Sequence, residues 1–433
     1  MLPGDPNAPS RARFGIIWFG IALAVIQYID RICISKTAGP IRDSLHLTKD
    51  DMSWVFAAFG YAYALFEIPT GWLGDKHGTR KTLLRVVLWW SFFTALTGWA
   101  WGFVSLFVIR FLFGMGEAGC FPNLTRAFTT WLRPGEKAKA QATLWLAARL
   151  GGAVTPLLVV LVLKVVHWKI AFLLFGSLGV VWAFFFYRWF RDDPRDHPDV
   201  NEAERALLAG NPPVARHDSV PWLAFVKSGT TWLLWAQYFC LSYCWYFYVT
   251  WLSTFLDEKY PGVSEVERAL LAGVPLFGGA IGNLFARSFM GRLEKRTGSL
   301  IRTRRILGVC GFGCAALVFL LPGRVQNPVL VMAAMGMASL FGDLSMPCSW
   351  GACMDVGGKF AGTYSGAMNM MGNLGGALSP LAFNWIAGHS SRGWAAAFDV
   401  SAGVYFLGAL CWLFIDPVTP LAQEVKTSDP IRI

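Results

Sequence analysis

The chain has 433 residues, of which 55% are hydrophobic and only 15% are charged, and its mean hydropathy is +0.45. These shares exclude an ordinary soluble protein, in which about a quarter of the residues are charged. The net charge of +11 does not indicate a nucleic-acid partner, because no basic patch is interleaved with aromatic residues; in a membrane protein such an excess is typical of cytoplasmic loops. We therefore expect a polytopic helical protein in a lipid bilayer, without a nucleic-acid partner.

Apolar segments close to the length that spans about 30 Å of hydrocarbon follow one another along the chain. Twelve are predicted, beginning near Phe14, Asp51, Leu83, Val104, Glu136, Trp168, Thr231, Val266, Arg305, Pro328, Phe360 and Trp394. The fold class is thus an all-α membrane protein with two six-helix bundles. The predicted parts are a tail over 1–13, a bundle over 14–190, a linker over 191–230, a second bundle over 231–417 and a tail over 418–433. The first segment is interpreted as a retained helix and not as a cleaved signal peptide.

Basic residues concentrate in alternate connections, which sets the predicted orientation. If the segments alternate, one side receives the central linker and Arg11, Arg13, Lys76, Arg80, Lys81, Arg85, Arg133, Lys137, Lys139, Arg292, Lys295, Arg296, Arg302, Arg304 and Arg305. Fewer basic residues, such as Lys36 and Lys49, fall on the other side. Both tails and the linker are therefore predicted to lie in the cytoplasm.

Charged residues inside the first two spans are the first candidates for a functional site. Asp30 and Arg31 are predicted to close the first span toward its outer third, with Tyr28 one turn before. An interfacial ion pair is the alternative to a functional role for this Asp-Arg pair. In the second span, Glu67 follows Tyr63 by one helical turn and could serve the substrate or only a structural pair.

The turn after the second span carries an ordered series of small, acidic and basic residues. Gly71, Asp75, Gly78 and Arg80 stand at spacings that allow close backbone approach and place an acid at a helix end. A plain cytoplasmic turn rich in positive charge is the alternative. The spacing resembles the signature of the major facilitator superfamily, G-x-x-x-D-[RK]-x-G-x-[RK]-[RK]. The equivalent turn of the second half departs from it, since Arg287 and Gly291 replace the usual Gly and acid.

The fourth span resembles a second motif of that superfamily, R-x-x-x-G, through Arg110 and Gly114. Arg110 and Glu117 are seven residues apart, so a helix places them on one face, two turns distant. They could form a structural pair, but charges at this depth are usually retained for transport or conformational coupling. Arg126, after the Pro122 kink, is a further candidate.

Arg149 lies about 13 residues into the fifth predicted span, near the middle of the membrane. Such a guanidinium needs an anionic partner, which could be Glu117, Asp30 or a substrate carboxylate held by two hydrogen bonds. The second half is poorer in buried charge, and Asp343 is its main acid. Three of its residues offer hydrogen bonds to a substrate: Trp350, Asn369 and Asn373.

The sequence contains no pattern that indicates a metal site, a cofactor or an enzyme. The nine cysteines include no C-x-x-C pair, and the six histidines lie in or near polar connections. A nucleophile with its base and a nucleotide-binding loop are also missing from the sequence. No cofactor or metal is therefore expected.

Several short motifs together resemble the anion:cation symporter family of the major facilitator superfamily, from about Phe14 to Pro417. They are Tyr28-x-Asp30-Arg31, Glu117-Ala118-x-x-Phe121-Pro122 with Trp131, His167-Trp168-Lys169-x-x-Phe172, Asp192-x-Pro194-x-x-His197-Pro198, Trp245-Tyr246 with Trp251-Leu252, and Gly366-x-x-Asn369-x-x-Gly372-Asn373-x-Gly375-Gly376. The resemblance implies a transporter of a small organic anion, such as a sugar acid, driven by a cation that is usually a proton in bacterial members.

The resemblance also implies roles for individual residues. Asp30 and Glu117 become proton-responsive acids, and Arg31 and Arg126 become anion-binding or gating residues. Tyr28, Tyr63 and Asn373 are expected to line the site. Arg149 and Glu67 depart from the family, because sugar-acid members often have Gln at both positions. The added Arg149 implies either a more negatively charged substrate or an internal pair with Glu67.

The hypothesis that the sequence favours is proton-coupled import of an organic anion by alternating access. We expect a monomer in the plasma membrane, the inner membrane of a bacterium. Two other hypotheses remain: a facilitator or exporter of neutral or amphipathic molecules on the same fold, and a sensor that binds its ligand without moving it. The sequence does not identify the anion, distinguish H⁺ from Na⁺ coupling, or give the stoichiometry.

Overall fold

The computed structural model describes residues 9–209, 222–357 and 361–421, and they fold into helices and the turns between them. The first bundle contains α1 (Gly15–Leu45), α2 (Lys49–His77), α3 (Thr79–Thr97), α4 (Phe103–Glu117), α5 (Cys120–Trp131), α6 (Pro134–Leu163) and α7 (Trp168–Trp189). The linker contains α8 (Glu202–Leu208) and α9 (Trp222–Lys227). The second bundle contains α10 (Gly229–Thr250), α11 (Leu252–Lys259), α12 (Glu265–Thr297), α13 (Leu300–Phe319), α14 (Pro328–Leu344), α15 (Met346–Gly357), α16 (Ala361–His389) and α17 (Trp394–Phe414).

These helices fit the predicted twelve spans, and each predicted start lies within about five residues of an observed one. Three spans are broken into two helices each, namely α4 with α5, α10 with α11 and α14 with α15. Seven segments of the described chain are both long and apolar enough to cross a membrane. The other spans contain more polar residues, which lowers their mean hydropathy. The prediction of a two-bundle, all-α membrane fold is confirmed.

Local sequence signals account for several helix ends. Ser264 caps α12 by accepting a hydrogen bond from the backbone N–H of Glu267 at 3.2 Å. Asn327 caps α14 in the same way, and Pro328 occupies its first turn, where a missing N–H costs nothing. Gly298 ends α12 with a φ of 62°, a left-handed conformation that favours glycine.

The two bundles meet along two seams. The first seam is α2 against α16 and the second is α6 against α12. Small residues allow close approach in both seams: Gly60 of α2 lies against Ala377 of α16, and Gly273 of α12 lies against the backbone of Ala153 in α6. The space between the seams holds the candidate site.

The bundles have distinct ends, which we call the linker side and the far side. On the linker side, Arg13 pairs with Glu204 of α8 at 2.7 Å, so the chain start and the linker lie together. On the far side, Lys36 of α1 pairs with Asp257 of α11 at 3.2 Å, and Ser35 donates to the carbonyl of Thr250 at 2.6 Å. Among the described residues, the ion pairs that join the two bundles at their ends are on the far side. The far side is therefore closed.

The end predicted for the first span is wrong. The apolar run weakens after Arg31, but α1 continues to Leu45, so Asp30 and Arg31 lie at its midpoint. The remaining half of α1 packs against α10 and α11 of the second bundle. Its residues contact protein there instead of lipid, and so they need not be uniformly apolar.

Candidate functional site

A cavity of about 60 Å³ lies at mid-depth between the two bundles. It has room for a few water molecules, since each needs roughly 10–15 Å³ on this measure. Residues from both bundles line it: Tyr28, Arg31, Tyr63, Phe121, Trp145, Arg149, Tyr238, Leu241, Ser242, Trp245, Tyr246, Met346, Asn369 and Asn373. Six of the eight residues predicted to bind substrate are among them.

Arg31 lines this cavity with its counter-ion buried directly behind it. Its guanidinium donates to Oε1 of Glu117 through Nε, at 3.0 Å, and through Nη2. Gln27 donates to the same oxygen at 2.8 Å, whereas Oε2 of Glu117 is buried without a hydrogen-bond partner in the described part of the chain. The rings of Phe59 and Tyr63 lie 4.9 and 5.2 Å from the Arg31 guanidinium carbon. Arg31 is thus held by one carboxylate oxygen and aromatic faces.

Asp30 is fully buried on the side of α1 away from the cavity. Neither of its carboxylate oxygens accepts a hydrogen bond within the described residues. The charged groups that act on it most are Glu117 and Arg110. Arg110 stacks on Phe113, with its guanidinium carbon 4.1 Å from the ring centre. Glu117 pairs with Arg31 instead of Arg110, so the structural Arg110–Glu117 pair considered from the sequence does not form directly.

The partner of Arg149 differs from every internal partner predicted for it. Its Nη2 donates to Oδ1 of Asp343 at 2.9 Å, and neither Glu117, Asp30 nor Glu67 is the acceptor. Both side chains are almost fully buried. Because α6 belongs to the first bundle and α14 to the second, this ion pair joins the bundles beside the second seam. Asn283 of α12 also donates to Asp343, at Oδ2, over 3.2 Å.

Glu67 bridges the first seam. It accepts hydrogen bonds from the side-chain amides of Asn369 and, over 3.4 Å, Asn373. The side-chain oxygen Oδ1 of Asn373 in turn accepts a hydrogen bond from the hydroxyl of Tyr246 at 2.7 Å. The two Asn side chains predicted to bind substrate therefore line the cavity while they hold an acid of the opposite bundle.

Half of the residues that line the cavity are aromatic. Tyr28 and Tyr63 were predicted to line it, whereas the other five were missed as site residues: Phe121, Trp145, Tyr238, Trp245 and Tyr246. Phe121 stacks on Trp145 with ring centroids 4.6 Å apart. Trp350, predicted to line the site, packs one layer behind, 6.0 Å from Trp145 and 6.1 Å from Tyr238. Arg126 is half-buried on α5 and is not among the described residues that line the cavity. The aromatic run from Tyr238 to Tyr248 in one span was the sequence signal for this wall.

The turn motif between α2 and α3 docks on the end of α7. Gly78 adopts a φ of 85°, and an added Cβ would lie 2.9 Å from a carboxylate oxygen of Asp192. The backbone N–H of Arg80 donates to Asp192 at 2.9 Å, and its guanidinium lies 4.3 Å from the Tyr187 ring. Gly71 and Asp75 of this motif lie outside the residues whose surroundings the structure describes.

Gly114 of the other motif permits close packing of α4 on α2, because a Cβ there would meet Ala62 at 3.2 Å. Within residues 9–209, 222–357 and 361–421, no group of three or more His, Cys, Asp or Glu side chains could hold a metal ion.

Two bundles around a charged cavity at mid-depth are the architecture of a secondary membrane transporter. The sequence profile of the Major Facilitator Superfamily matches residues 20–380. The chain belongs to the Major Facilitator Superfamily. It is therefore a transporter and not an enzyme.

Curated relatives share almost the whole chain. A probable sulfoacetate transporter of Cupriavidus necator is 33% identical over 411 residues, covering 94% of each chain. A hexuronate transporter of Bacillus subtilis is 26% identical, covering 98% of this chain and 99% of its own. A D-galactonate transporter of Escherichia coli is 25% identical, covering 96% and 98%. These homologues transport small organic anions, as members of the anion:cation symporter type do, which confirms the predicted family.

Solved structures show the same fold. A bacterial homologue of the human lysosomal transporter Spinster, in an inward-facing and occupied conformation, matches with a TM-score of 0.69 and 17% identity. The match covers 93% of this chain and 96% of that one.

Proposed function

We propose that this protein imports a small organic anion, a sulfonate or carboxylate, together with protons. The observation that carries the proposal is the cavity-lining guanidinium of Arg31, whose counter-ion Glu117 lies buried behind it. A guanidinium binds carboxylate or sulfonate oxygens through its fork of N–H donors. The names of the relatives, which include sulfoacetate and sugar-acid transporters, support the same substrate class.

Proton coupling follows from competition for Arg31. Glu117 and a bound substrate anion would both need the donors of this one guanidinium. A proton on Glu117 removes its charge and leaves Arg31 to the substrate, so substrate and proton bind together. Asp30 offers a second proton site, because an ionised carboxylate that is buried without a well-formed hydrogen bond is costly and a proton relieves that cost.

Transport requires that the two bundles, over 14–190 and 231–417, rock about the cavity. Neutralising the site with a substrate and a proton lowers the barrier to this motion, and losing the proton on the other side expels the anion. The side rich in basic residues is proposed to be the cytoplasm of a bacterial cell, with both tails inside. Because one chain supplies both walls of the cavity, the proposed functional unit is the monomer.

The test is uptake into proteoliposomes with an imposed pH gradient, alkaline inside. Sulfoacetate, D-galactonate and a hexuronate are each compared with a neutral analogue of similar size. We expect one acid class to accumulate against its gradient and its neutral analogue to stay outside. Transport of neutral analogues alone, or binding without movement, would instead support a facilitator or a sensor.

Glu117→Gln tests the coupling step. Gln preserves the shape and an oxygen acceptor but does not titrate. Uphill uptake should be lost while exchange of internal for external substrate continues. Intact uphill, proton-driven uptake in this variant would remove Glu117 from the mechanism.

A further inference from the structure

We infer that the cavity selects a short organic anion with two acidic groups, one bound by Arg31 and the other by Arg149. This inference rests on the proposed function and specifies its substrate class. Two guanidinium groups, from α1 and α6, line the same small cavity. A substrate with a single acidic group could bind only one of them directly.

The two arginines lie along one aromatic wall. The Arg31 guanidinium carbon is 5.4 Å from the ring centre of Tyr28, whose ring is 6.2 Å from that of Trp245. The Arg149 guanidinium carbon is 4.7 Å from the Trp245 ring. The two guanidinium groups therefore lie against two neighbouring rings of the same wall.

Arg149 has an N–H donor that Asp343 does not use. Its Nη2 serves Asp343, while its Nε is buried and makes no hydrogen bond within the described part of the chain. A buried N–H without an acceptor is costly, so a ligand oxygen that reached this group would be bound favourably. The side chain is only 4% exposed, so bulk water is a poor substitute.

Asp343 keeps a second hydrogen-bond donor when Arg149 turns toward a ligand. Its Oδ2 accepts a hydrogen bond from Asn283 at 3.2 Å, and this bond does not depend on Arg149. Asp343 is therefore a positioning residue, which holds the guanidinium at the cavity wall and keeps a partner of its own when a substrate competes.

The rest of the wall favours a short carbon chain between the two acidic groups. Phe121, Trp145 and Trp245 present ring surfaces, and Asn373 already bonds Glu67 and Tyr246. The cavity volume of about 60 Å³ favours a small molecule as well.

The experiment compares pairs of anions that share a skeleton and differ by one charge. The pairs are sulfoacetate with 2-hydroxyethanesulfonate, and succinate with its half-amide. Their binding to the purified full chain is measured by calorimetry at pH 7.5. We expect the dianion of at least one pair to bind at least tenfold more tightly than its partner.

The matched variant is Arg149→Gln with Asp343→Asn. Removing both charges together avoids stranding a buried carboxylate, and an unchanged melting temperature would show that the fold is intact. The double variant should bind the two members of the pair within about twofold of each other. Equal binding by the unaltered protein, or a preserved preference in the double variant, would overturn the inference. If no organic anion bound at all, the proposed function itself would fail.

Discussion

Glu67 of α2 and Asn369 of α16 share a hydrogen bond across the first seam, so an acid of one bundle is held by an amide of the other. Across the second seam, the acid belongs to the second bundle. There Asp343 pairs with Arg149 of the first bundle. The bundles are thus tied on both sides of the cavity, by groups that lie in its wall or next to it. Any rocking of the bundles must alter these two links.

The Glu67 bridge predicts different effects for two substitutions. Glu67→Ala leaves the amides of Asn369 and Asn373 without their acceptor in a buried site, which should cost about 1–3 kcal/mol of stability. Glu67→Gln keeps an oxygen acceptor and should cost less than about 1.5 kcal/mol, the scale of one hydrogen bond. Thermal unfolding in detergent measures both. Equal melting temperatures for the Ala and Gln variants would show that the bridge contributes nothing.

Gly60 predicts that the first seam tolerates no added atom. A Cβ at this position would lie 2.8 Å from the Cβ of Ala377 and 2.9 Å from its Cα, a distance at which backbone must move. Gly60→Ala should therefore lower stability by about 1–3 kcal/mol, as overpacking usually does. The measurement is again thermal unfolding.

Gly313→Ala in α13 is the matched control, because no atom lies within 4 Å of its added Cβ. There the substitution should raise stability by up to about 1 kcal/mol through helix propensity alone. A Gly60→Ala variant that behaved like Gly313→Ala would contradict the close contact between α2 and α16.

The positions of the helices could be predicted because crossing a bilayer demands length and apolar character. The end of α1 could not be predicted from hydropathy. Its second half packs against α10 and α11 and contains the buried Lys36, so its sequence is not uniformly apolar. Hydropathy reports exposure to lipid. It does not show which polar helix faces are covered by another helix.

The sequence predicted many of the individual site residues, but it did not predict which of them pair with one another. Arg149 needed an acid, and the sequence offered several. Its partner Asp343 is 194 residues away, in the other bundle, and only the packing of the bundles selects it. Glu67 was recognised as a buried acid, but its hydrogen bonds to Asn369 and Asn373 depend on the first seam in the same way.

Glu136 predicts a pH dependence on the linker side. Partial burial alone would raise its pKa, but hydrogen bonds from Arg13 and Arg133 outweigh burial and lower the pKa from 4.5 to about 2. A carboxyl group whose pKa is lowered by folding stabilises the folded protein at pH values above the pKa that the group has in the unfolded chain. That contribution is present above about pH 4.5 and is lost as the pH falls toward about 2.

Glu136→Gln should therefore lower the melting temperature at pH 7, and the difference from the unaltered protein should shrink at pH 4 and again at pH 3. Glu202→Gln, at an exposed acid of α8, is the control and should change little at any pH. A difference that stayed constant from pH 7 to pH 3 would show that the charge of Glu136 does not stabilise this contact.

The far-side ion pairs predict how the closed state is held. Asp257 of α11 accepts from Lys36 of α1 at 3.2 Å and from Arg268 of α12 at 2.9 Å. Asp257→Asn removes one of the charges that join the bundles there, alongside Glu258, which pairs with Lys49. A loss of about 1 kcal/mol would raise the population open on the far side about fivefold. Ser35, buried on the far side, reports opening if it is replaced by Cys and labelled with a membrane-impermeant maleimide. Its labelling should quicken in Asp257→Asn but not in Asp399→Asn, because Asp399 pairs with Arg324 and Arg392 of its own bundle. If both variants labelled at the rate of the parent, the far-side pairs would not hold the bundles together, and the closure would have to be assigned to the apolar packing of α1 against α11.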